Sequence, residues 1–401
     1  MPAKIIPLAI SAILLIACVE NDHQQPHKTS LAHVVDTSDS IVLNTNWHYL
    51  TNYSGLFSDP TTGQDYIFSA DPVTNMVVRI FNQNGARIVD VPLDSVYSVI
   101  DNINSIALLS KDSIFVLDER GERYLILDTS GRVVRVQELV DECCDSNDDL
   151  YELYPAAGLT VVGRNVYLGP ALKGACNEKA YYERSTSTIV NEQRYYKLAT
   201  GKCKIARIDP RVRKGKVSFG ACGILNHLTD VPRETMGMAY PSNANGRLFL
   251  FSQFSSFIYE VDTTSLNVTT TVPIRYQNGL VGITPPPITK DDFEGEGHYK
   301  RAATKAYILS FTYDKPTNQY ITSVCHEVPA NTPEDQHAWR RNWSLIVLDS
   351  TFNKVKEHVL SGREYSGSVL LGMNNGTWVL EKDLDPQSFK RPKILRRVRL
   401  L

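Results

Sequence analysis

The densest group of side chains that could bind a ligand lies in the last fifth of the chain. The segment His337-Ala338-Trp339-Arg340-Arg341-Asn342-Trp343 combines aromatic rings with guanidinium groups, and Cys325-His326-Glu327 precedes it. A tryptophan ring buries a large apolar area and a guanidinium offers forked donors, so the pair suits a planar or sugar-like ligand or a protein hot spot. We therefore predict that His337, Trp339, Arg340 and Arg341 contact a ligand or partner, whereas Trp343 packs at the start of its strand.

Two acidic loops offer material for other chemistry. Residues 141–149 carry closely spaced oxygen ligands that suit calcium, but they lack the glycine of the usual calcium-binding loop. Residues 289–299 carry four acids and His298, which are groups that acid–base catalysis uses. His326 and His337 could bind a metal with Glu327 or Glu334, yet no compact ligand spacing is present. We expect solvated loops and no metal site.

Motifs of common enzymes are missing from the chain, which contains no nucleophile elbow, phosphate-binding glycine loop or dinucleotide fingerprint. An enzyme would have to use side chains scattered over distant segments. We therefore expect no catalytic residue and no cofactor. A hydrolase or lyase that acts on polysaccharide, built on residues 291–298 and 326–337, is the alternative.

Paired tyrosines alternate with charges in the segment between Cys176 and Cys203. Tyr181 and Tyr182 belong to it, and we predict that they form part of a binding rim or lid. The two cysteines that bracket the segment could form a disulfide, which would contribute about 3 kcal/mol in the chain-entropy model. They could instead be buried free thiols. Either Cys143 or Cys144 could also reach Cys176 or Cys222, since six cysteines allow 15 pairings.

The elements that must position these residues are short strands. After Ser40, apolar runs of four to eight residues are separated by Gly, Asn, Asp, Ser and Pro, with no amphipathic helix of ordinary length. A tight polar turn recurs at residues 82–85, 128–131, 209–211, 262–265 and 349–351. Its Asp, Asn and Ser side chains can bond their own backbone and so hold a hairpin.

A repeat of 40 to 50 residues built from four strands is typical of a β-propeller blade. We predict an all-β chain that forms a six-bladed β-propeller; seven blades or a pair of β-sandwiches are the alternatives. The expected blades span residues 53–92, 103–138, 156–219, 236–273, 303–360 and 368–400. The last blade has three strands in sequence, so we expect Ile41-Val42-Leu43 to supply its fourth strand and close the ring.

The N-terminus indicates the address of the protein. Lys4 precedes an apolar run that ends in Leu15-Ile16-Ala17-Cys18, which resembles a bacterial lipoprotein signal. About 12 apolar residues are too few to span a bilayer, which needs about 20. The resemblance implies a signal peptide at 1–17 and lipidation of Cys18. The residues that follow are polar and show no apolar period, so we expect a flexible lipidated tether at 18–39. The repeat then predicts a single propeller domain at 40–401. A mature formal charge near −3 gives no basic field for nucleic acid, so no nucleic-acid partner is expected.

The predicted architecture, the lipoprotein signal and the Asp-Thr/Ser turns together resemble the six-bladed propeller lipoproteins of Bacteroidota. The architecture of that family is related to NHL and TolB-like propellers. The resemblance carries no catalytic residues across. It implies an outer-membrane lipoprotein of the cell envelope, either periplasmic or surface-exposed, because Val19-Glu20-Asn21-Asp22 matches the acidic surface-export signal only in part.

Propeller topology assigns every long segment to one face and the five tight turns to the other. Loops on a rigid scaffold are where binding residues concentrate. We therefore predict a membrane-anchored, non-catalytic protein that binds a protein partner or a glycan through its loop-rich face, with the membrane on the other side. A purely structural envelope component is a third reading.

Overall fold

The computed structural model describes residues 34–45, 53–72, 74–118, 123–139, 151–152, 158–169, 171–172, 203–212, 217–222, 224, 239–252, 255–277, 279–280, 306–328, 341–382 and 392–400. The described elements are all β-strands. No helix in these ranges is long and apolar enough to cross a bilayer.

The strands form six antiparallel sheets of four strands each. Strand β1 is Val35–Leu43. Blade one contains β2 (Ser54–Ser58), β3 (Asp65–Asp71), β4 (Val77–Asn82) and β5 (Arg87–Pro92). Blade two contains β6 (Ile103–Ser110), β7 (Ser113–Asp118), β8 (Arg123–Leu127) and β9 (Val133–Glu138).

Blade three has four strands, and the same part of the chain forms a separate two-stranded sheet, the accessory pair. The accessory pair is β10 (Tyr151–Glu152) with β13 (Ala171–Leu172), and the blade contains β11 (Leu159–Val162), β12 (Asn165–Leu168), β14 (Cys203–Ile208) and β15 (Val217–Cys222). Blade four contains β16 (Tyr240–Ala244), β17 (Arg247–Phe251), β18 (Phe257–Val261) and β19 (Val268–Pro273).

A second accessory pair, β20 (Arg275–Tyr276) with β21 (Gly279–Leu280), precedes blade five. Blade five contains β22 (Tyr307–Asp314), β23 (Gln319–Cys325), β24 (Trp343–Leu348) and β25 (Lys354–Leu360). Blade six contains β26 (Tyr365–Met373), β27 (Gly376–Glu381), β28 (Lys393–Val398) and, as its fourth strand, β1.

The first strands of the blades form a closed inner ring. Contacts run from β2 to β6, β11, β16, β22 and β26, and return from β26 to β2. Because the ring closes after six blades, no room exists for a seventh, and the predicted six-bladed β-propeller is confirmed. The double-sandwich alternative is wrong for the same reason.

Burial follows the position of a strand within its blade. Strand β24, second from the outside, is buried at every position, whereas the outermost strand β9 alternates between half-buried and exposed residues. The middle strands of a blade are covered on both sides by neighbouring blades, so nearly all their residues are buried; outer strands face water on one side and alternate.

The core consists of apolar clusters between successive blades. Among the described residues there are six such clusters, and each of the six blade-to-blade interfaces contains one. The cluster between blades six and one includes Leu43 of β1 beside Trp378 and Leu395. Burial of apolar area therefore stabilises the seam by the same means as the other interfaces.

The predicted side-chain-to-backbone bonds hold the tight turns. Asp128 Oδ1 accepts hydrogen bonds from the backbone N–H groups of Ser130 (3.0 Å) and Arg132 (3.1 Å). Asp349 Oδ1 accepts from those of Thr351 and Asn353, both at 2.9 Å. Bonds from the Ser130 and Thr351 hydroxyls are the main reason that the pKa values of these two carboxyls lie below the usual range.

The closing strand is longer than predicted. Strand β1 begins at Val35, inside the segment expected to be tether, and shifts register between Asp36 and Ser40. Two arginines hold this polar part: Nε of Arg399, just after β28, donates to Asp36 at 2.9 Å, and Nη1 of Arg396 in β28 donates to the Thr37 carbonyl at 2.7 Å. The polar residues hid the start of the strand from a reading based on apolar runs.

Candidate functional site

The two faces of the ring differ in how the chain turns. We call the face at which each first strand begins the loop-rich face, and the opposite one the hairpin face. Strands on the hairpin face are joined by connections of at most eight residues. On the loop-rich face, strand ends are joined by the long segments 139–158, 169–202, 223–239, 274–306 and 326–342. The predicted sorting of the long segments is therefore observed at the strand ends.

Arg341 anchors the end of the predicted ligand-binding segment. Its side chain is 5% exposed, its Nε donates to the His326 carbonyl at 2.8 Å, and its guanidinium lies 5.4 Å from the centre of the Tyr307 ring. The backbone N–H of His326 donates to the Asn342 carbonyl at 3.0 Å. These bonds close the base of the segment that begins and ends beside His326 and Arg341.

A chain of hydrogen bonds links His326 to a buried carboxylate. His326 Nε2 lies 2.7 Å from Ser344 Oγ, and that hydroxyl donates to Glu357 Oε1 at 2.5 Å. Glu357 also accepts from the backbone N–H of Gln277 at 3.1 Å and forms an ion pair with Lys354. Since Ser344 gives its only hydrogen to Glu357, its oxygen accepts from His326 Nε2–H, which leaves Nδ1 as a hydrogen-bond acceptor.

The imidazole of His326 is neutral at physiological pH. Burial lowers its pKa below the usual value; the charge of Glu357 acts in the opposite direction, and that of Arg341 lowers the pKa further. The Tyr276 ring lies beside it, with 5.7 Å between ring centres. Ser344 is fully buried, so it orients the imidazole and cannot reach a substrate as a nucleophile.

Uncharged hydroxyl and thiol groups lie at the inner edge of the loop-rich face. Burial raises the pKa of Tyr240 to about 12 and raises that of Tyr307 as well. Cys325 is a buried free thiol that is hydrogen-bonded to Tyr307, and burial raises its pKa although the nearby charges of Arg341 and Lys382 lower it. A thiol that stays protonated is a poor nucleophile.

Most of the predicted site residues lie outside the described residues. These are Cys18, Cys176, Tyr181, Tyr182, His337, Trp339 and Arg340, and their assigned roles stay predictions. Within the described ranges, no group of three or more His, Cys, Asp or Glu side chains could hold a metal ion.

Cys222 is disulfide-bonded. Cys203 lies opposite Cys222 in the register of β14 and β15. The predicted pairing of Cys176 with Cys203 stays a prediction, since Cys176 and the side chain of Cys203 fall outside the described residues.

Four residues described above at the loop-rich face were not singled out from the sequence, namely Tyr240, Tyr307, Ser344 and Glu357. Tyr307 and Ser344 lie in mostly apolar strands, Tyr240 begins a short polar strand, and Glu357 lies among the charges of an outer strand. The pairing of β22, β23, β24 and β25 brings three of them to one end of blade five. No spacing along the chain could have revealed that convergence.

Comparison with known proteins supports the architecture. No protein-family model matches the chain, and no curated protein matches it in sequence. Among solved structures, a DUF4221-family protein from Bacteroides vulgatus matches 91% of this chain and 97% of its own length, with a TM-score of 0.64 and 15% identity. The resemblance expected from the sequence is thereby confirmed at the level of the fold.

More remote structures share the general form. A protein from Bacteroides fragilis assigned as exported matches 92% of this chain and 98% of its own, with a TM-score of 0.41 and 10% identity. Virginiamycin B lyase from Staphylococcus aureus matches 90% of this chain and 99% of its own, with a TM-score of 0.39 and 10% identity. These two likenesses are too weak to carry an argument about function.

Proposed function

We propose that this chain is an exported, lipid-anchored propeller of the cell envelope that binds a partner protein or a glycan through its loop-rich face and acts without catalysis. The observation that carries the proposal is the asymmetry of the ring. Five segments of 17 to 34 residues leave strand ends on one face, while the hairpins on the other have at most eight residues. Binding residues concentrate in loops that a rigid scaffold positions.

The base of the most promising segment is rigid. Arg341 is held by the His326 carbonyl and the Tyr307 ring, and His326 is held in turn by Ser344 and Glu357. Residues 329–340 therefore leave the scaffold from two fixed points. Fixed ends lower the conformational entropy that binding would cost, which favours a role in recognition for Trp339 and Arg340.

The direction of β1 supports an orientation in the envelope. The strand enters at the hairpin face with Val35 and ends at the loop-rich face with Leu43, because it runs antiparallel to β28. A tether that starts at a lipidated Cys18 would then leave from the hairpin face, and the loop-rich face would point away from the membrane. Substitution Cys18→Ser tests the anchor: the protein should move from the membrane fraction to the soluble fraction.

The residues described at the loop-rich face favour recognition over catalysis. Ser344 is fully buried and Cys325 is a protonated thiol, so neither supplies a nucleophile. The hydroxyls of Tyr240 and Tyr307 are uncharged and can both donate and accept hydrogen bonds, which suits recognition of a polar surface. The polysaccharide hydrolase or lyase considered from the sequence depends on residues 291–298 and 326–337, of which the structure describes only 326–328.

The proposal is tested by crosslinking in the native envelope followed by affinity capture. We expect the wild type to recover a specific partner that Trp339→Ala/Arg340→Ala loses. The matched control, Thr271→Ala/Lys356→Ala, changes exposed residues of outer strands and should recover the partner normally. A glycan array probed with the same three proteins covers the second class of ligand. Equal recovery and equal array binding by both double variants would contradict the assignment.

A further inference from the structure

A groove on the hairpin face lies between blades one and two. Its volume is about 560 Å³, within the range of about 300–1,000 Å³ typical of small-molecule sites. Blade one supplies its β2–β3 and β4–β5 hairpins, and blade two supplies its β6–β7 and β8–β9 hairpins. The groove therefore lies on the opposite side of the ring from the loop-rich face and is independent of the function proposed for that face.

Hydrogen-bonding side chains line one part of the groove without being used by the fold. They are the amides of Gln83 and Asn84, the ammonium of Lys111 and the carboxylate of Asp112. In the described portion of the chain, none of these four side chains takes part in a hydrogen bond or ion pair. Together they offer both donors and acceptors to a ligand.

An apolar wall faces these groups. Ile88 is 51% exposed on β5, and its half-buried neighbour Val89 also lines the groove. An exposed isoleucine loses contact with water when a ligand covers it, which favours binding of a ligand with an apolar side.

The turn that carries the two amides is pre-formed. Asn82 Oδ1 accepts from the backbone N–H groups of Asn84 and Ala86, both at 3.0 Å. At Gly85 (φ +82°), a Cβ atom would lie 2.7 Å from Ile41 Cγ2 and 2.9 Å from the Val42 carbonyl oxygen of β1. The turn is thus fixed both by its own asparagine and by the closing strand, so little order must be gained on binding.

We propose that this groove binds an uncharged saccharide. A sugar ring has hydroxyls that both donate and accept, and it has C–H faces that pack on an apolar wall. The open charges of Lys111 and Asp112 are adjacent in sequence and of opposite sign, so the groove favours neither an anion nor a cation. The full lining holds four amides, Gln64, Asn82, Gln83 and Asn84, and three charges. The third charge, Asp65, already accepts hydrogen bonds from the Ser58 hydroxyl and the Asn374 backbone N–H. A lining of this kind lacks the clustered like charges of a phosphate or metal site.

Isothermal titration calorimetry on the wild type tests the proposal, with chitotetraose, maltotetraose, xylotetraose and mannotetraose as probes. At least one should bind, and Asn84→Ala and Lys111→Ala should each weaken that binding by roughly fivefold or more. The matched control Lys356→Ala removes an exposed cation from blade five and should bind as the wild type does.

Two results would overturn the proposal. One is the absence of binding by all four probes; the other is binding that both groove variants retain at full strength, which would place the sugar elsewhere. Asn84 and Lys111 make no side-chain contacts that the fold requires, and circular dichroism of the variants should match that of the wild type. Since Trp339 and Arg340 remain intact in these variants, failure here leaves the function of the loop-rich face untouched.

Discussion

Val35 lies directly opposite Val398 in the ladder between β1 and β28, so the two ends of the described chain meet in one blade. The pairing continues to Leu43 opposite Lys393, and the backbone N–H of Arg399 donates to the Val34 carbonyl at 2.7 Å. In this pairing β1 covers the edge of β28 that would otherwise be exposed, and blade six gains the same four strands as the other blades. It also connects the N-terminal segment mechanically to the complete ring.

A substitution that disturbs the interface between blades six and one should lower the stability as much as a core substitution does. Leu43 is fully buried between blades six and one, whereas its neighbour Val42 is 49% exposed. We expect Leu43→Ala to lower the free energy of unfolding by about 2–5 kcal/mol and Val42→Ala to change it by less than about 0.5 kcal/mol. Urea unfolding followed by fluorescence measures both. Similar effects of the two substitutions would show that β1 is not an integral strand.

Contact between the β4–β5 turn and β1 should require glycine at position 85. Both Gly85→Ala and Gly246→Ala place a side chain at positive φ, which costs about 1–2 kcal/mol. The new Cβ atom at position 85 would contact backbone and side-chain atoms of β1. At position 246, no atom lies within 4 Å of the new Cβ. We expect a further loss of about 1–3 kcal/mol for Gly85→Ala. Equal thermal unfolding midpoints would contradict this contact.

Stability should fall on mild acidification because of two half-buried histidines. Burial lowers the pKa values of His326 and His358 below 6.5 in the folded protein, so the unfolded chain binds protons more readily between those values and 6.5. The contribution of the two histidines to the free energy of unfolding should therefore be at its full value above about pH 6.5. It should decrease as the pH falls below 6.5.

The double variant His326→Asn/His358→Asn is the test of this pH dependence. Its unfolding free energy, measured between pH 8 and pH 5, should change less than that of the wild type over the same interval. A wild-type profile that rises on acidification, or one that the double variant reproduces, would refute the assignment of neutral imidazoles.

Register predicts the partner of the disulfide-bonded Cys222. Cys203 lies opposite it in an antiparallel ladder, where directly opposed Cα atoms are about 4.5–5.5 Å apart, within the usual reach of a disulfide. Peptide mapping without reduction should recover a cross-linked peptide that contains both residues. A peptide that joins Cys203 to Cys176 would instead support the pairing considered from the sequence.

The sequence revealed the architecture because propeller blades repeat. Short apolar runs recur along the chain, polar turns such as Asp128-Thr129-Ser130-Gly131 recur in five blades, and one strand was missing from the last blade. The start of β1 escaped notice because Asp36, Ser38 and Asp39 look like linker residues. The arginines that pair with Asp36 and Asp39 are Arg399 and Arg397, more than 350 residues away.

The site was harder to foresee than the fold. Arg341 looked like a ligand contact because it follows Trp339 and Arg340, yet its described contacts are with the His326 carbonyl and the Tyr307 ring. Such contacts depend on which strands are neighbours and on the angle between blades. The groove at Asn84 and Lys111 is equally invisible in the sequence, because two blades contribute to it.

Site-specific photocrosslinking in the native envelope tests the central claim most directly. A benzophenone amino acid at Glu327, an exposed position on the loop-rich face, is compared with one at Thr264, an exposed turn of the hairpin face in blade four. We predict a discrete crosslinked partner, protein or glycan-bearing, from position 327 and none from position 264. Crosslinking from position 264 alone, or the same products from both, would contradict recognition through the loop-rich face.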